Sequence, residues 1–462
     1  MKPKFQLDAL VLIFGIIVCV AVMTWFIPGG NYDRVEKGGR TLVVSDSFQP
    51  APAEKQGVGD ILTSPMKGFE KAAEVIIFLL IIGGVFSVIQ KTGAIMVFLQ
   101  KMGYLFTKKP HLKKFFIPVM MFLFSLGGAT FGMCEEVIAF IPIFVPIALS
   151  LGYDTVVGMC IPFLGAAAGF AAAFANPFTI GVAQGIAELP MYSGKEYRIV
   201  VWLIVTTAMT AFVMRYASKI QKKPQASPMY EEDKLKRHDF HLDESRHDKF
   251  TLNHKIILGM FAAAILLIIF GATKKGWYIQ EIAALFFALA IASAIVGRLK
   301  IGDFTNTFVA GAKDMVHVAL VVAFARAILV VASDGNILDS MLHYTAGLIE
   351  GAHPIVASQA MLVVQTFVNF FVPSGSGQAA LTMPIMAPLA DVLGVSRQVA
   401  VLAFQFGDGY NIILPTSGAT MGVLAMAGVS YQKWLKWVLP LMIIWFVLSM
   451  ALLIPPYFMD WQ

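Results

Sequence analysis

Three carboxylates, Glu135, Glu136 and Asp408, stand in strongly apolar surroundings in this 462-residue chain. A carboxylate at membrane depth costs about 2.5–3.5 kcal/mol even on the lenient insertion scale, so it is normally paired or functional. Three acids around one cavity attract a cation, and one of them could carry a proton. Arg326 and His317, in another apolar run, are the buried bases available to pair with them. Arg326 reads both ways, because a guanidinium fork also suits a carboxylate of a bound solute.

Short polar segments surround these acids. Gly132-Met133-Cys134-Glu135-Glu136 interrupts an apolar region at 115–151, and Pro373-Ser374-Gly375-Ser376-Gly377-Gln378 interrupts another at 353–394. Asn176-Pro177 breaks the segment 155–188. Gly407-Asp408-Gly409-Tyr410-Asn411, followed by Pro415-Thr416-Ser417-Gly418, breaks the segment 397–429. Glycine lets backbone approach a ligand closely. Proline removes a donor and opens a helix. Ser, Thr, Asn and Gln supply hydrogen bonds to an ion or a small polar solute. Any one such residue also suits close helix packing; the joint pattern is the signal.

That pattern occurs twice. At an offset of 242 residues Gly165 falls on Gly407, Leu151-Gly152 on Leu393-Gly394, and Glu135-Glu136 on Gly377-Gln378. The offset slips to 238 between Pro177 and Pro415. A repeat inside an apolar chain, broken at matching places, points to a secondary transporter with its binding site at the breaks.

Composition agrees. Hydrophobic residues make up 58% of the chain and charged residues 14%, against about 25% charged in a soluble domain. Several runs reach the ~20 apolar residues that a spanning helix needs. The expected fold is an all-α polytopic membrane protein. The first run, Leu7 to Ile27, is long for a signal-peptide core and reads as a true first span. Net charge is +6, but the basic residues cluster in loops, where they set topology and do not indicate nucleic acid. Cys19, Cys134 and Cys160 form neither a metal spacing nor a disulfide framework. No nucleophile–base pair, phosphate loop or cofactor box is legible, so neither an enzyme nor a cofactor is expected.

Three parts follow. Residues 1–216 form a first repeat, with a hairpin at 115–151 and a broken helix at 155–188. Residues 217–276 form a cytoplasmic linker plus a linking span. Residues 277–462 form a second repeat, with a hairpin at 353–394 and a broken helix at 397–429. The positive-inside rule puts the N-terminus, Lys108 to Lys114 and the linker in the cytoplasm. It makes both hairpins re-entrant and inverts one half against the other. Irregular backbone at membrane depth is tolerated where it lines a cavity, which sets the tips and breaks around the site. Glu74 and Glu281 read as interfacial. The charge run 231–248 reads as a solvated loop, with only a remote prospect of a metal site at His238, His241 and His247.

The tip and break residues resemble those of the C4-dicarboxylate anaerobic carrier family within the ion-transporter superfamily, in particular its YfcC-type branch, described as basic amino-acid antiporters. The resemblance spans nearly the whole chain; the 217–254 linker carries little of it. It implies a scaffold part and a transport part, an elevator-like movement and a homodimer. Sodium-coupled dicarboxylate carriers of that superfamily use Ser-Asn-Thr triplets at the hairpin tips. Here Gly132 to Glu136 and Ser374-Gly375-Ser376 stand instead, which favours the basic amino-acid branch.

The expected function is exchange of cationic amino acids such as arginine, ornithine or lysine across a bacterial inner membrane. Glu135, Glu136 and Asp408 would neutralise the cation. Ser374, Ser376, Gln378 and backbone N–H groups would take the carboxylate, and Asn176, Asn411, Thr416 and Ser417 would complete the lining. Gly132, Pro177, Gly375, Gly377, Gly407, Gly409 and Pro415 would shape the tips and breaks. A coupling ion, Na+ or H+, stays open. The alternatives are a C4-dicarboxylate carrier with Arg326 on the substrate, and a membrane sensor or scaffold that moves nothing.

Overall fold

The computed structural model describes residues 9–462 apart from 38–39, 45–46, 96, 99–100, 102–109, 240–249, 276, 278, 348, 350, 460 and 462. Lys108, Lys109, His241 and His247 lie outside the described residues.

The chain is a helical membrane protein. Among the described residues five helices are long and apolar enough to cross a bilayer: Ala73–Lys91, Lys195–Lys222, Ile279–Val296, Pro354–Phe371 and Tyr431–Tyr457. A sixth crossing arises if Ile301–Asp314 and Ala319–Asp334, bent by 42°, form one span. The first apolar run folds as α1, Ala9–Met23.

The stretch after α1 holds two small antiparallel pairs. Strand β1 (Gly30–Asn31) pairs with β4 (Gln49–Pro50), and β2 (Arg34–Lys37) with β3 (Arg40–Val43). An amphipathic helix, α2 (Val58–Lys71), follows and starts where Asp60 accepts the Gly57 N–H at 2.9 Å. Helix α3 (Ala73–Lys91) continues after a break at Ala72.

The same order recurs later. Helices α4 (Pro110–Thr130), α5 (Ile141–Ser150), α6 (Thr155–Ala171), α7 (Ile180–Ile186), α8 (Lys195–Lys222), α9 (Tyr230–Asp239), α10 (Leu252–Lys275) and α11 (Ile279–Val296) intervene. Then α12 (Ile301–Asp314) and α13 (Val316–Asp334) repeat the amphipathic–apolar succession of α2 and α3. After α14 (Leu338–Gly347) come α15 (Pro354–Phe371), α16 (Gly375–Val392), α17 (Arg397–Asp408), α18 (Gly418–Ala427), α19 (Tyr431–Leu453) and α20 (Pro455–Phe458).

The two successions pack crosswise: α2 lies on α13 and α12 lies on α3. Each crossing is made possible by a glycine. A Cβ on Gly68 would stand 2.3 Å from the Ala323 carbonyl oxygen, and one on Gly311 would stand 2.3 Å from the Gly83 carbonyl oxygen. Around the breaks α4 and α5 pack on α6, and α15 and α16 pack on α17. Gly165 allows the first of these contacts, against Met121 and Phe124. Gly407 allows the second, against Gln365 and Thr366. Helices α3, α10 and α11 share one apolar core, separate from the larger core that holds the tips and breaks.

The described part of the charge run after α8, residues 231–239, is not a solvated loop: it belongs to α9, which docks on the start of α6; the rest of the run lies outside the described residues. Asp233 accepts the Thr155 N–H at 2.8 Å and the Thr155 hydroxyl at 2.5 Å. Lys236 donates to the Ala427 carbonyl at 2.8 Å, and Lys433 pairs with Glu232. Asp154 caps α6 through the Val157 N–H at 2.8 Å and also accepts from Ser227 at 2.7 Å. A charge pattern alone cannot reveal this, because the carboxylates' partners lie far away in sequence.

Candidate functional site: a cavity between tips and breaks

Both apolar regions interrupted in the sequence lose regular α-helix at their polar segments. The first tip occupies 131–134, followed by a short turn of 3-10 helix, Glu135–Phe140. The second occupies 372–374, where Ser374 caps α16 by accepting the Gly377 N–H at 3.4 Å. The chain is irregular between α6 and α7 around Asn176-Pro177. Between α17 and α18 it passes through a 3-10 turn, Gly409–Ile412, and the Pro415 corner.

The elements also meet crosswise. The Glu135–Phe140 turn and α5 pack on α18, beyond the second break, while α16 packs on α7, beyond the first. Gly132 has φ +79°, and a Cβ there would stand 2.7 Å from Asn176 Oδ1. The first tip therefore sits directly against the first break.

Backbone groups freed by the breaks find partners, as burial in an apolar medium requires. Asn176 donates to the Gly128 carbonyl at 3.2 Å and accepts the Phe178 N–H at 2.8 Å. The Ala173 carbonyl accepts from Gln405 at 3.1 Å. At the second break Trp434 donates to the Ile412 carbonyl at 2.7 Å, Thr420 to the Asn411 carbonyl at 2.6 Å and Tyr431 to the Ile413 carbonyl at 2.8 Å. Fully buried Arg198 donates to Gln405 and, at 3.1 Å, to Gln398 Oε1, tying α8 to α17.

A cavity of about 690 Å³ opens between these parts, a size suited to a small molecule. Glu135, Cys134 and Gly132 reach it from the first tip, and Ser374, Gly375 and Ser376 from the second. Asn411, Thr416, Ser417 and Gly418 reach it from the second break. Arg326 of α13 faces it from the other side, with Glu70, Lys71 and Glu74 at the α2–α3 break. Glu135 and Arg326 are within electrostatic reach of one another.

The three acids take different positions. Glu135 lines the cavity. Glu136 turns back and accepts the Cys134 N–H at 2.8 Å, holding the tip's own backbone. Asp408 is absent from the cavity wall and lines a pocket of about 30 Å³ beside it. Its Oδ1 accepts amides from Asn369 at 3.0 Å and Asn411 at 2.8 Å. Gln378 and Asn176 are likewise buried and turned away from the cavity. Gln378 donates to the Gln365 carbonyl and to Gln365 Oε1, both at 2.8 Å, and accepts from Asn369 at 2.8 Å.

Sequence reasoning passed over Glu70, Lys71, Asn369 and Gln365, and read Glu74 as interfacial. Asn369 and Gln365, as buried amides in an apolar helix, carried a usable signal; the α2–α3 break carried none. A further cavity of about 430 Å³ lies around Pro354, Ser396 and Trp461. Its arginine, Arg397, is already paired with Asp391 at 2.7 Å and Glu188 at 3.2 Å.

A polar cavity bordered by irregular backbone in a multi-pass membrane protein suits a carrier. The family model of C4-dicarboxylate anaerobic carriers matches residues 7–457, and the chain belongs to that family. It is 36% identical to the Escherichia coli (strain K12) protein named "Putative basic amino acid antiporter YfcC", over 98% of this chain and 97% of that one. It is 29% identical to an uncharacterized protein of Haemophilus influenzae, over 94% and 93% of the two chains. Among solved structures, the YdaH transporter of Alcanivorax borkumensis aligns with a TM-score of 0.43 at 14% identity, covering 98% of this chain and 99% of that one. MtrF of Neisseria gonorrhoeae aligns with a TM-score of 0.42 at 19% identity, covering 97% and 95%. The protein is a membrane transporter, not an enzyme. It works in a lipid bilayer on a small-molecule substrate.

Proposed function

We propose that the chain exchanges cationic amino acids across a bacterial inner membrane. The observation that carries this reading is the charge of the cavity wall. Glu70, Glu74 and Glu135 face Lys71 and Arg326 there, so three acids against two bases leave one formal negative charge. That balance suits a substrate with one net positive charge.

The wall also has two ends. Glu135 offers a carboxylate to a side-chain cation or an α-ammonium. Opposite in character, the N-termini of α16 and α18 reach the cavity at Ser374-Gly375-Ser376 and Ser417-Gly418-Ala419. Helix N-termini carry partial positive charge and free N–H groups, which suit a carboxylate. Thr416 and Asn411 supply the polar lining between. Asp408 and Glu136 back the wall without belonging to it. The printed name of the Escherichia coli relative points the same way.

The packing supports alternating access. The crosswise contacts of α2 with α13 and α12 with α3 support two inverted repeats, and the tips and breaks support a transport part that moves as a unit, elevator-like, against that scaffold. The N-terminus and the segment after α8 lie on the cytoplasmic side in this arrangement, and the protomer pairs as a homodimer.

A C4-dicarboxylate reading rests on one observation, Arg326 in the cavity wall. Competition separates the two. Uptake of labelled arginine into proteoliposomes is expected to fall with excess lysine or ornithine and to ignore succinate. Uptake of labelled succinate in place of arginine would favour the second reading.

A further inference from the structure

We propose that Asp408 holds a single monovalent cation, Na+ or a proton, in a pocket of its own beside the substrate cavity. Asp408 is 1% exposed. Two amides, from Asn369 on α15 and Asn411 on the second break, fix its Oδ1. Its Oδ2 is buried and has no hydrogen-bond partner among the described residues. The amides orient the carboxylate and leave the second oxygen bare.

The surroundings match a small cation. The pocket that Asp408 lines measures about 30 Å³. That is room for one water-sized body, and far too little for an amino acid. Asn411, Ser417 and Thr420 line it too, against a wall of Met133, Val137, Phe163 and Phe170. Asn411 Oδ1 is a second buried oxygen without a partner among the described residues. Gly375, which lines the larger cavity, lies close to the bare oxygen: a Cβ there would stand 3.3 Å from Asp408 Oδ2. Oxygen ligands of this kind suit hard cations, and a bare carboxylate in an apolar wall is neutralised by one positive charge.

The titratable groups facing Asp408 are few. Glu135 and Cys134 lie within electrostatic reach of it at the first tip, with Glu136 beside them. Tyr410 is on its own turn, and Arg198 of α8 reaches Gln405 one turn back. Helices α7, α15 and α18 carry no titratable side chain; α6 carries Cys160, α16 carries Asp391, and α19 carries Tyr431, Lys433 and Lys436. Among these, Asp408 is the carboxylate in the small pocket, whereas Glu135 is the one in the cavity.

The coupling of this cation to transport rests on the exchange reading above, but the site itself does not. Its test is therefore a binding measurement on the purified full-length protein in detergent. Thermal unfolding midpoints are compared in NaCl and in choline chloride at equal ionic strength, and across neutral pH in choline chloride. A ligand bound only by the folded state raises the midpoint with its concentration. Wild type is expected to rise with Na+ if the cation is sodium, or with falling pH and without a Na+ response if it is a proton. Asp408→Asn should respond to neither. Should Asp408→Asn fail to fold, Asn411→Ala keeps the carboxylate but removes an oxygen beside it and an amide that donates to it, so half-saturation by Na+ is expected to need about ten times more salt, or half-saturation by protons to move to higher pH. A wild type flat to both cations, an Asp408→Asn variant that tracks wild type, or an Asn411→Ala variant with unchanged half-saturation would each overturn the assignment. A protein that moves no arginine but shows these midpoints would contradict the exchange reading alone.

Discussion

Asn369 donates its side-chain amide to Asp408 Oδ1 at 3.0 Å, joining the first arm of the second hairpin to the end of the helix before the second break. The same amide group also donates to Gln378 Oε1 at 2.8 Å. Hairpin arm, hairpin tip and break are thereby held by one side chain, 0% exposed. Asn369→Ala leaves Asp408 with the Asn411 amide alone. A hydrogen bond to a charged group contributes about 1.5–3 kcal/mol, so the initial rate of transport is expected to fall by about tenfold or more. Size-exclusion profiles in detergent should stay those of the wild type.

The acids at the first tip separate by substitution. Glu135→Gln removes the acid that the first tip brings to the cavity and is expected to abolish exchange while leaving the unfolding midpoint near wild type. Glu136→Gln keeps an oxygen to accept the Cys134 N–H, and transport should persist. Equal loss in both variants would contradict the different positions that the two carboxylates occupy.

Gly132 tests the contact between tip and break. A left-handed conformation costs a residue with a Cβ about 1–2 kcal/mol, and here the added carbon also meets Asn176 Oδ1 at 2.7 Å and Phe178 at 2.6 Å. Gly132→Ala is expected to lower the unfolding midpoint. Gly152→Ala has the same φ of +79° but open space around it, and should lower the midpoint less.

The docked helix after α8 makes a further prediction. Asp233→Ala strips two acceptors from Thr155 at the start of α6. Leaving a buried donor unpaired costs about 1–3 kcal/mol. Hydrogen exchange is expected to rise across 229–239 and in the first turn of α6. No change there would mean that the helix is held by other contacts.

Much of this architecture was legible in the sequence because membranes constrain it so tightly. The Asn176-Pro177 break, the Gly407 to Gly418 break and both tips announce themselves as polar interruptions of apolar runs. The packing of Gly165 and Gly407 was foreshadowed by their shared offset. Other features were hidden for physical reasons. The α2–α3 break places Glu70, Lys71 and Glu74 on the cavity wall, but amphipathic helices beside a span look like ordinary interface. The separate positions of Glu135, Glu136 and Asp408 depend on side-chain direction at irregular backbone, where no periodicity applies. The docking of α9 depends on Thr155, Ala427 and Lys433, far from it along the chain.

The central claim is exchange of cationic amino acids, and trans-stimulation tests it most directly. Purified protein is reconstituted into vesicles loaded with ornithine, with succinate or with buffer, and labelled arginine is supplied outside. Rapid entry into the ornithine-loaded vesicles alone is the predicted result. Entry driven equally by succinate, or no arginine entry under any loading, would contradict it.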